Sequence, residues 1–262
     1  MQYHPFLPTM FVALSLLGCL DKGIIRTDSI ETGTSEETDT AEEADADSDA
    51  DADSDADADS DADADSDADA DLPETFEVTL VASQDAIVRR LGPTGDNTNY
   101  GQERYNSAHA WTNSGTEVVH RALIAFDLSE IAPSASISLA TLKLFSDANS
   151  TQYPNGHDTS SGSNACRLAR ITSDWDEMSV TWNNQPSSAL GASLEIPQTT
   201  FGFEDRETDV TQMVQTMVSS PDESFGFHLI LSNESPYRRM VFASIDHTDP
   251  SLHPLLEITY ED

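Results

Sequence analysis

The chain has 262 residues, 48 of them acidic and 12 basic, for a net charge of −36. That balance argues against a nucleic-acid partner, because the phosphate backbone demands clustered Lys and Arg. Only one of the two cysteines, Cys166, falls in the part of the chain with enough apolar residues to fold, so no disulfide can form within it.

Residues 1–19 read as an export signal. Met10 to Leu17 is an apolar run of signal-peptide length, far short of the ~20 residues that span a bilayer. Leu16-Leu17-Gly18-Cys19 resembles a bacterial lipobox, which implies that Cys19 is acylated and becomes the mature N-terminus. Leu20, not Asp, follows the cysteine, which by the same resemblance implies lipid anchoring at an outer membrane, facing the cell surface or the periplasm. The n-region departs from the pattern, since it holds His4 and no Lys or Arg.

Residues 20–72 carry 22 acidic and 2 basic side chains, and every odd position from Asp45 to Asp71 is Asp, separated by Ala or Ser. Such a stretch cannot offset its ordering entropy by burial, so a disordered, self-repelling spacer is expected. As a flexible coil it spans ~40 Å, lengthened by repulsion. A calcium loop needs a Gly at its turn and a bidentate Glu at its far end, and the repeat has neither. Loose condensation of divalent ions is compatible with it; a defined site is not.

Residues 73–262 are expected to form one domain. Phe76, Val78 and Leu80 alternate with Glu77 and Thr79, and Gln84 to Arg89 follows, ahead of a Gly/Asn/Asp loop from Gly92 to Gly101. His120 to Phe126, Leu139 to Phe145, Ala165 to Leu168, Phe225 to Leu231, Met240 to Ile245 and Leu255 to Tyr260 are further strand candidates. Short strands between turn-rich loops predict a β-sandwich. One helix interrupts them: Val210, Met213, Val214 and Met217 fall at i, i+3, i+4 and i+7, with Asp209 as expected N-cap, Gln212 at the capping-box position and Pro221 as the stop.

The segment Thr172 to Pro186 holds two of the three tryptophans, Trp175 and Trp182. Val180 and Trp182 alternate with Ser179, Thr181 and Asn183, which predicts a strand ended by an Asn183-to-Pro186 turn. Asp174, Asp176 and Glu177 are read either as acceptors for backbone N–H groups or as a carboxylate pair for acid/base work. Cys166 reads as a buried apolar residue.

This segment, W-x-E-x-x-V-T-W-N-x-x-P, resembles the signature of the DNRLRE domain, a module first noted in disaggregatase-related proteins. Some members are classed as carbohydrate-binding modules attached to polysaccharide-degrading enzymes. The resemblance is carried here by Trp175, Glu177, Trp182 and Asn183, by Asn99-Tyr100-Gly101, by Arg121 with Phe126-Asp127-Leu128-Ser129, by Ala140 to Leu144, by Asp209-Val210-Thr211, and by the last three strands. It covers about Asp85 to Tyr260. It implies an all-β, jelly-roll-like antiparallel β-sandwich with one short α-helix, most of the matching residues serving the fold.

A sugar-binding surface needs exposed aromatics flanked by polar hydrogen-bonding groups. Tyr105, Ser107, His109 and Trp111 share one face of an expected strand, and Ala108 and Ala110 the other. If the alanines face the core, Arg104, Tyr105, His109 and Trp111 form a sugar platform; if not, Tyr105 and Trp111 are core. Asn149 to Ser163, with Tyr153 and His157, is a second expected rim or a mobile loop. Arg89, Arg90, Arg238 and Arg239 would suit a polyanion only if they gather, and residues 73–262 carry a net −16, so a neutral or weakly charged glycan is expected.

No G-x-S-x-G, H-E-x-x-H or metal-ligand histidine spacing occurs. The expected function is a non-catalytic, lipid-anchored module binding polysaccharide or another cell-surface glycan. The alternatives are a structural or adhesive surface protein with a protein partner, and a stand-alone polysaccharide lyase or hydrolase. No cofactor is expected; a structural calcium ion and the oligomeric state stay open.

Overall fold

The computed structural model describes residues 74–262. The lipobox reading at Cys19 and the acidic spacer of residues 20–72 lie outside the described residues. Eleven strands and one α-helix form a sandwich of two antiparallel sheets. The strands are β1 (Thr75–Val81), β2 (Gln84–Leu91), β3 (Tyr105–Asn113), β4 (Thr116–Ala125), β5 (Ser136–Leu144), β6 (Cys166–Arg170), β7 (Leu194–Ile196), β8 (Arg206–Asp209), β9 (Phe227–Leu231), β10 (Arg238–Ala243) and β11 (Leu255–Glu261). One sheet runs β1-β11-β5-β8; the other runs β10-β3-β4-β9-β6-β7, with β2 also paired to β4.

The period-two pattern works as expected in the first sheet. Ala140, Leu142 and Leu144 of β5 and Leu256 and Ile258 of β11 are buried against Leu168, Phe227, Leu229, Met240 and Phe242 of the second. Each Leu, Ile, Met or Phe side chain among them stabilises the fold by ~1.5–3 kcal/mol when removed from water. Val119, Ala122 and Ile124 all reach this core, so β4 changes the parity of its buried face between Val119 and Ala122. Leu123 and Ala125 instead join Ala86 and Val88 in a second cluster, covered by Trp175 and Val180 of the 172–186 segment.

The helix α1 (Thr211–Ser219) lays Met213, Val214, Met217 and Val218 on the core. It starts later than expected. The N-cap is Val210, and Asp209 stands one residue outside, accepting from the backbone N and Oγ1 of Thr211 at 3.0 and 2.7 Å. Gln212 therefore falls outside the capping-box position. Gln215 ties the helix to the sheet, accepting from Ile137 N at 2.8 Å and donating to Ala135 O at 3.0 Å.

The strand expected across Val180 and Trp182 is absent. Trp182–Asn184 is a 3-10 turn, because the polar groups find local partners: Asp176 O accepts from Ser179 N and Val180 N, and Asn184 Oδ1 accepts from Thr181 Oγ1. The side chains still behave as core markers. Val180 and Trp175 are buried, and Trp175 Nε1 donates to Phe225 O at 2.9 Å. Asn99 Nδ2 fastens the Asn99-Tyr100-Gly101 turn beneath this segment by donating to Glu177 O and Val180 O at 2.7 and 2.8 Å.

Candidate functional site

The alanine face of β3 is the buried one, with Ala108 and Ala110 fully enclosed in the main core. Tyr105, Ser107, His109 and Trp111 therefore point to the outer face of the sheet, where neighbouring strands add to them. The registers place Arg239 of β10, His109 of β3, His120 of β4 and Arg89 of β2 in one row. The next row holds Trp111, Val118 and Leu91, and one step beyond β10's pairing brings Tyr237 opposite Trp111. The Trp111 and Tyr237 rings meet at 5.0 Å with their planes 88° apart. Tyr237 is 41% exposed and Leu91 37%, Trp111 is half-buried and Val118 is buried between them, so the row is an apolar and aromatic strip open at Tyr237, Trp111 and Leu91.

Arg239 flanks the strip. Its guanidinium lies 5.3 Å from the ring centres of both Trp111 and Tyr153, and its Nε donates to Gly156 O at 2.7 Å. Among the described residues no carboxylate pairs with it. At the other end of the row, three strand spacings or ~14 Å away, Arg89 is neutralised by Asp96 Oδ2 at 2.6 Å and stacks on Tyr100 at 4.4 Å. The imidazoles between them carry no charge near neutral pH. Burial, with His120 and Arg239 adding to it, pushes His109 down to about 3, and burial beside Arg89 pushes His120 down to about 4. Both ring nitrogens of His109 are buried without a hydrogen-bond partner, while His120 Nδ1 meets Ser107 Oγ at 3.1 Å.

The four residues expected as a platform do not all reach it. Tyr105 is only 7% exposed, covered by Tyr153 with ring centres 5.5 Å apart. Arg104 is exposed but precedes β3, ~23 Å along the strand from Trp111 at the usual rise. His109 is half-buried, with both of its ring nitrogens covered. Trp111 alone of the four stands in the open strip, joined by Tyr237 and Arg239. The four arginines weighed as a patch do not gather: Arg238 is buried against Ser161 O and Ser163 O, and Arg90 lies near Trp182, away from Arg89 and Arg239. The 149–163 loop is docked, with Tyr153 and His157 buried and His157 Nδ1 accepting from Val241 N at 3.0 Å.

The motif residues take fold roles. Arg121 stacks on Trp182 at 4.4 Å and pairs with Glu234 at 2.7 Å. Asp127 accepts from Ser129 N at 3.0 Å. Asn183 donates to Asn97 Oδ1 at 2.7 Å. Glu177 Oε1 accepts from Asp85 N at 3.0 Å, the backbone-acceptor role expected for this carboxylate.

Glu177 also belongs to the one group with a spacing suited to a cation among the described residues, Asp85, Glu177 and Asp246, whose ligand atoms lie within 4.8 Å of one another. Asp85 Oδ2 already accepts from Asn106 Nδ2 at 2.8 Å and Ile245 N at 2.9 Å, and Asp85 N donates to Glu177 Oε1, so hydrogen bonds of Asp85 join these chain segments. Burial pushes Asp85 up to about 7. A second polar cluster is closed to substrate: Tyr105 OH donates to Asp147 Oδ2 at 2.8 Å and His247 Nε2 meets the same oxygen at 3.3 Å, with both the His247 and Asp147 side chains 8% exposed. Neither arrangement offers a nucleophile or an accessible acid/base pair at the strip.

Compared with known families, the chain matches the model of Carbohydrate-binding module family 96 over residues 77–260. No curated protein matches it.

Proposed function

The chain belongs to carbohydrate-binding module family 96, and we propose that it binds polysaccharide, without chemistry, on the outer strip of Tyr237, Trp111 and Leu91. The observation that carries this reading is the right-angled pair of Trp111 and Tyr237 beside a guanidinium without a carboxylate partner. The apolar face of a sugar ring stacks on an aromatic side chain, and the free N–H groups of Arg239 donate to ring or hydroxyl oxygens. The glycan is neutral or weakly charged: Arg89 is spent on Asp96, and a domain of net −16 repels a polyanion. The DNRLRE-like motifs fall inside the matched span, and we read the two as one module.

The same proposal holds the module at an outer membrane through acylated Cys19, with residues 20–72 as spacer. Detergent-phase partition of the full chain and of Cys19→Ser checks this part; equal partition of the two would remove the anchor from the account.

The glycan reading is tested by retention of the full chain on a panel of neutral and acidic polysaccharides, beside Trp111→Ala and Tyr237→Gly. Stacking contacts of this kind contribute ~0.5–1.5 kcal/mol beyond burial, so each variant is expected to weaken binding by about two- to tenfold. Tyr237 sits at φ 68°, and Gly relieves a cost of ~1–2 kcal/mol there, so Tyr237→Gly should bind poorly while melting close to the parent. Retention unchanged in both variants would place any glycan elsewhere.

A further inference from the structure

A cleft of about 430 Å³ opens between the first turns of α1 and the β6–β7 side of the sheet, at the opposite edge from β10 and the aromatic strip. Its volume is within the range of small-ligand sites. Ala192, Leu194 and Met213 form an apolar wall, and Arg170, Asp209 and Gln212 bring polar groups to the same space.

Each of those three keeps unmet hydrogen-bonding capacity among the described residues. Arg170 uses Nη1 on Glu223 O and Ser224 Oγ, which leaves Nη2 free to donate. Asp209 uses Oδ1 on Thr211, which leaves Oδ2 free to accept. Gln212 is exposed and lines the cleft, and its amide can both donate and accept. One guanidinium and one carboxylate cancel, so the lining favours a neutral ligand.

A secondary amide bearing a methyl group answers all of these features at once. It needs one acceptor for its N–H, one donor for its C=O and an apolar wall for its methyl. We propose that this cleft is a second carbohydrate subsite, specific for a neutral sugar ring carrying an acetamido group. Asp209 accepts the amide N–H, Arg170 or Gln212 donates to the carbonyl, and the methyl rests on Ala192, Leu194 and Met213. The proposal rests on the carbohydrate reading above but on a different face of the domain.

The test is titration of the ¹⁵N-labelled full chain with N,N′-diacetylchitobiose and, separately, with cellobiose, which lacks only the acetamido groups. Saturable shifts confined to Arg170, Ala189–Leu194 and Asp209–Thr216, given by the first sugar and not the second, are the expected result. Ala192→Trp fills the cleft from an exposed position, and Gln212→Ala removes a side chain that bonds nothing else in the described structure. Each is expected to weaken the response at least tenfold, with Trp111→Ala leaving it intact. Equal shifts from cellobiose, no response at millimolar sugar, or a response untouched by both cleft variants would overturn the subsite. Polysaccharide retention that still depends on Trp111 would then show that only this inference, and not the glycan reading, had failed.

Discussion

Tyr237 shows how the site is set residue by residue. It is one of two non-glycine residues at positive φ among those described, the other being Ser114 in the turn between β3 and β4. A bulky residue held there is strained, and its ring is kept in place by the edge of Trp111 and by a 3.2 Å contact between its hydroxyl and Thr112 Oγ1. Trp111 was legible in the sequence because it alternates with alanines small enough to pack beneath a sheet. Tyr237 and the placement of Arg239 were not, since they meet Trp111 only through the pairing of β10 with β3, more than a hundred residues apart. Arg104 drew attention by closeness in sequence, which along an extended strand means distance in space. Buried titratable residues give the first pH prediction. Asp85 binds its proton more tightly folded than unfolded, so between about pH 4 and 7 it makes stability fall as pH rises, by an amount on the order of a few kcal/mol. His109, His120 and His228 are depressed to about 3 or 4, so below their ordinary 6.5 they act in the opposite sense, and stability falls as pH drops. Asp85→Asn retains an oxygen for Asn106 and Ile245 and abolishes the opposing contribution. Its melting temperature should therefore rise more steeply from pH 4 to 7 than the parent's; parallel curves would mean that Asp85 is ionised throughout.

Elements with a long, regular period were readable, and those built from local side-chain bonds were not. β5 from Ala140 to Leu144 and β11 from Leu255 to Thr259 alternate strictly, and their pairing extends from Ser136 to Lys143 against Leu255 to Glu261 with one register shift between Thr259 and Tyr260. β7 and β8 have three and four residues, too few to show a period, and exist because longer neighbours supply the ladder. The 172–186 segment alternates like a strand, yet Asn184 and Asp176 satisfy its backbone within the segment, and it closes over β2 as a turn-rich cover. That cover rests on the Asn99-Tyr100-Gly101 turn. A Cβ on Gly101 would come within 2.1 Å of Glu177 O, a backbone atom that cannot swing aside. Gly101→Ala should thus cost at least ~1–3 kcal/mol, seen as a lower midpoint in denaturant. It should also expose Trp175, whose emission would shift to the red; a parent-like midpoint would mean that the turn and the cover are not in contact.

At the scale of the molecule, the sandwich divides its labour between faces. The four-stranded sheet shows an outer surface of Glu77, Thr79, Thr141, Glu257 and Thr259 around one exposed apolar side chain, Leu139, with Lys143 held between Glu207 and Glu257, and no aromatic side chain among them. The other sheet sets exposed Tyr237, just before β10, against half-buried Trp111 of β3. The family match shows a carbohydrate-binding module, and this asymmetry supports binding on the second face. The chain's three tryptophans make a direct test, because each indole N–H reports a different environment. Trp175 Nε1 is bonded to Phe225 O in the interior, Trp182 lies under Arg121, and Trp111 stands in the strip. The decisive measurement is the indole region of a ¹H–¹⁵N spectrum of the full chain as a retained polysaccharide's oligomer is added. Movement of the Trp111 indole alone, saturating with the binding isotherm, is the predicted result. Binding that leaves Trp111 still, or that moves Trp182 instead, would contradict the placement of the glycan on this face.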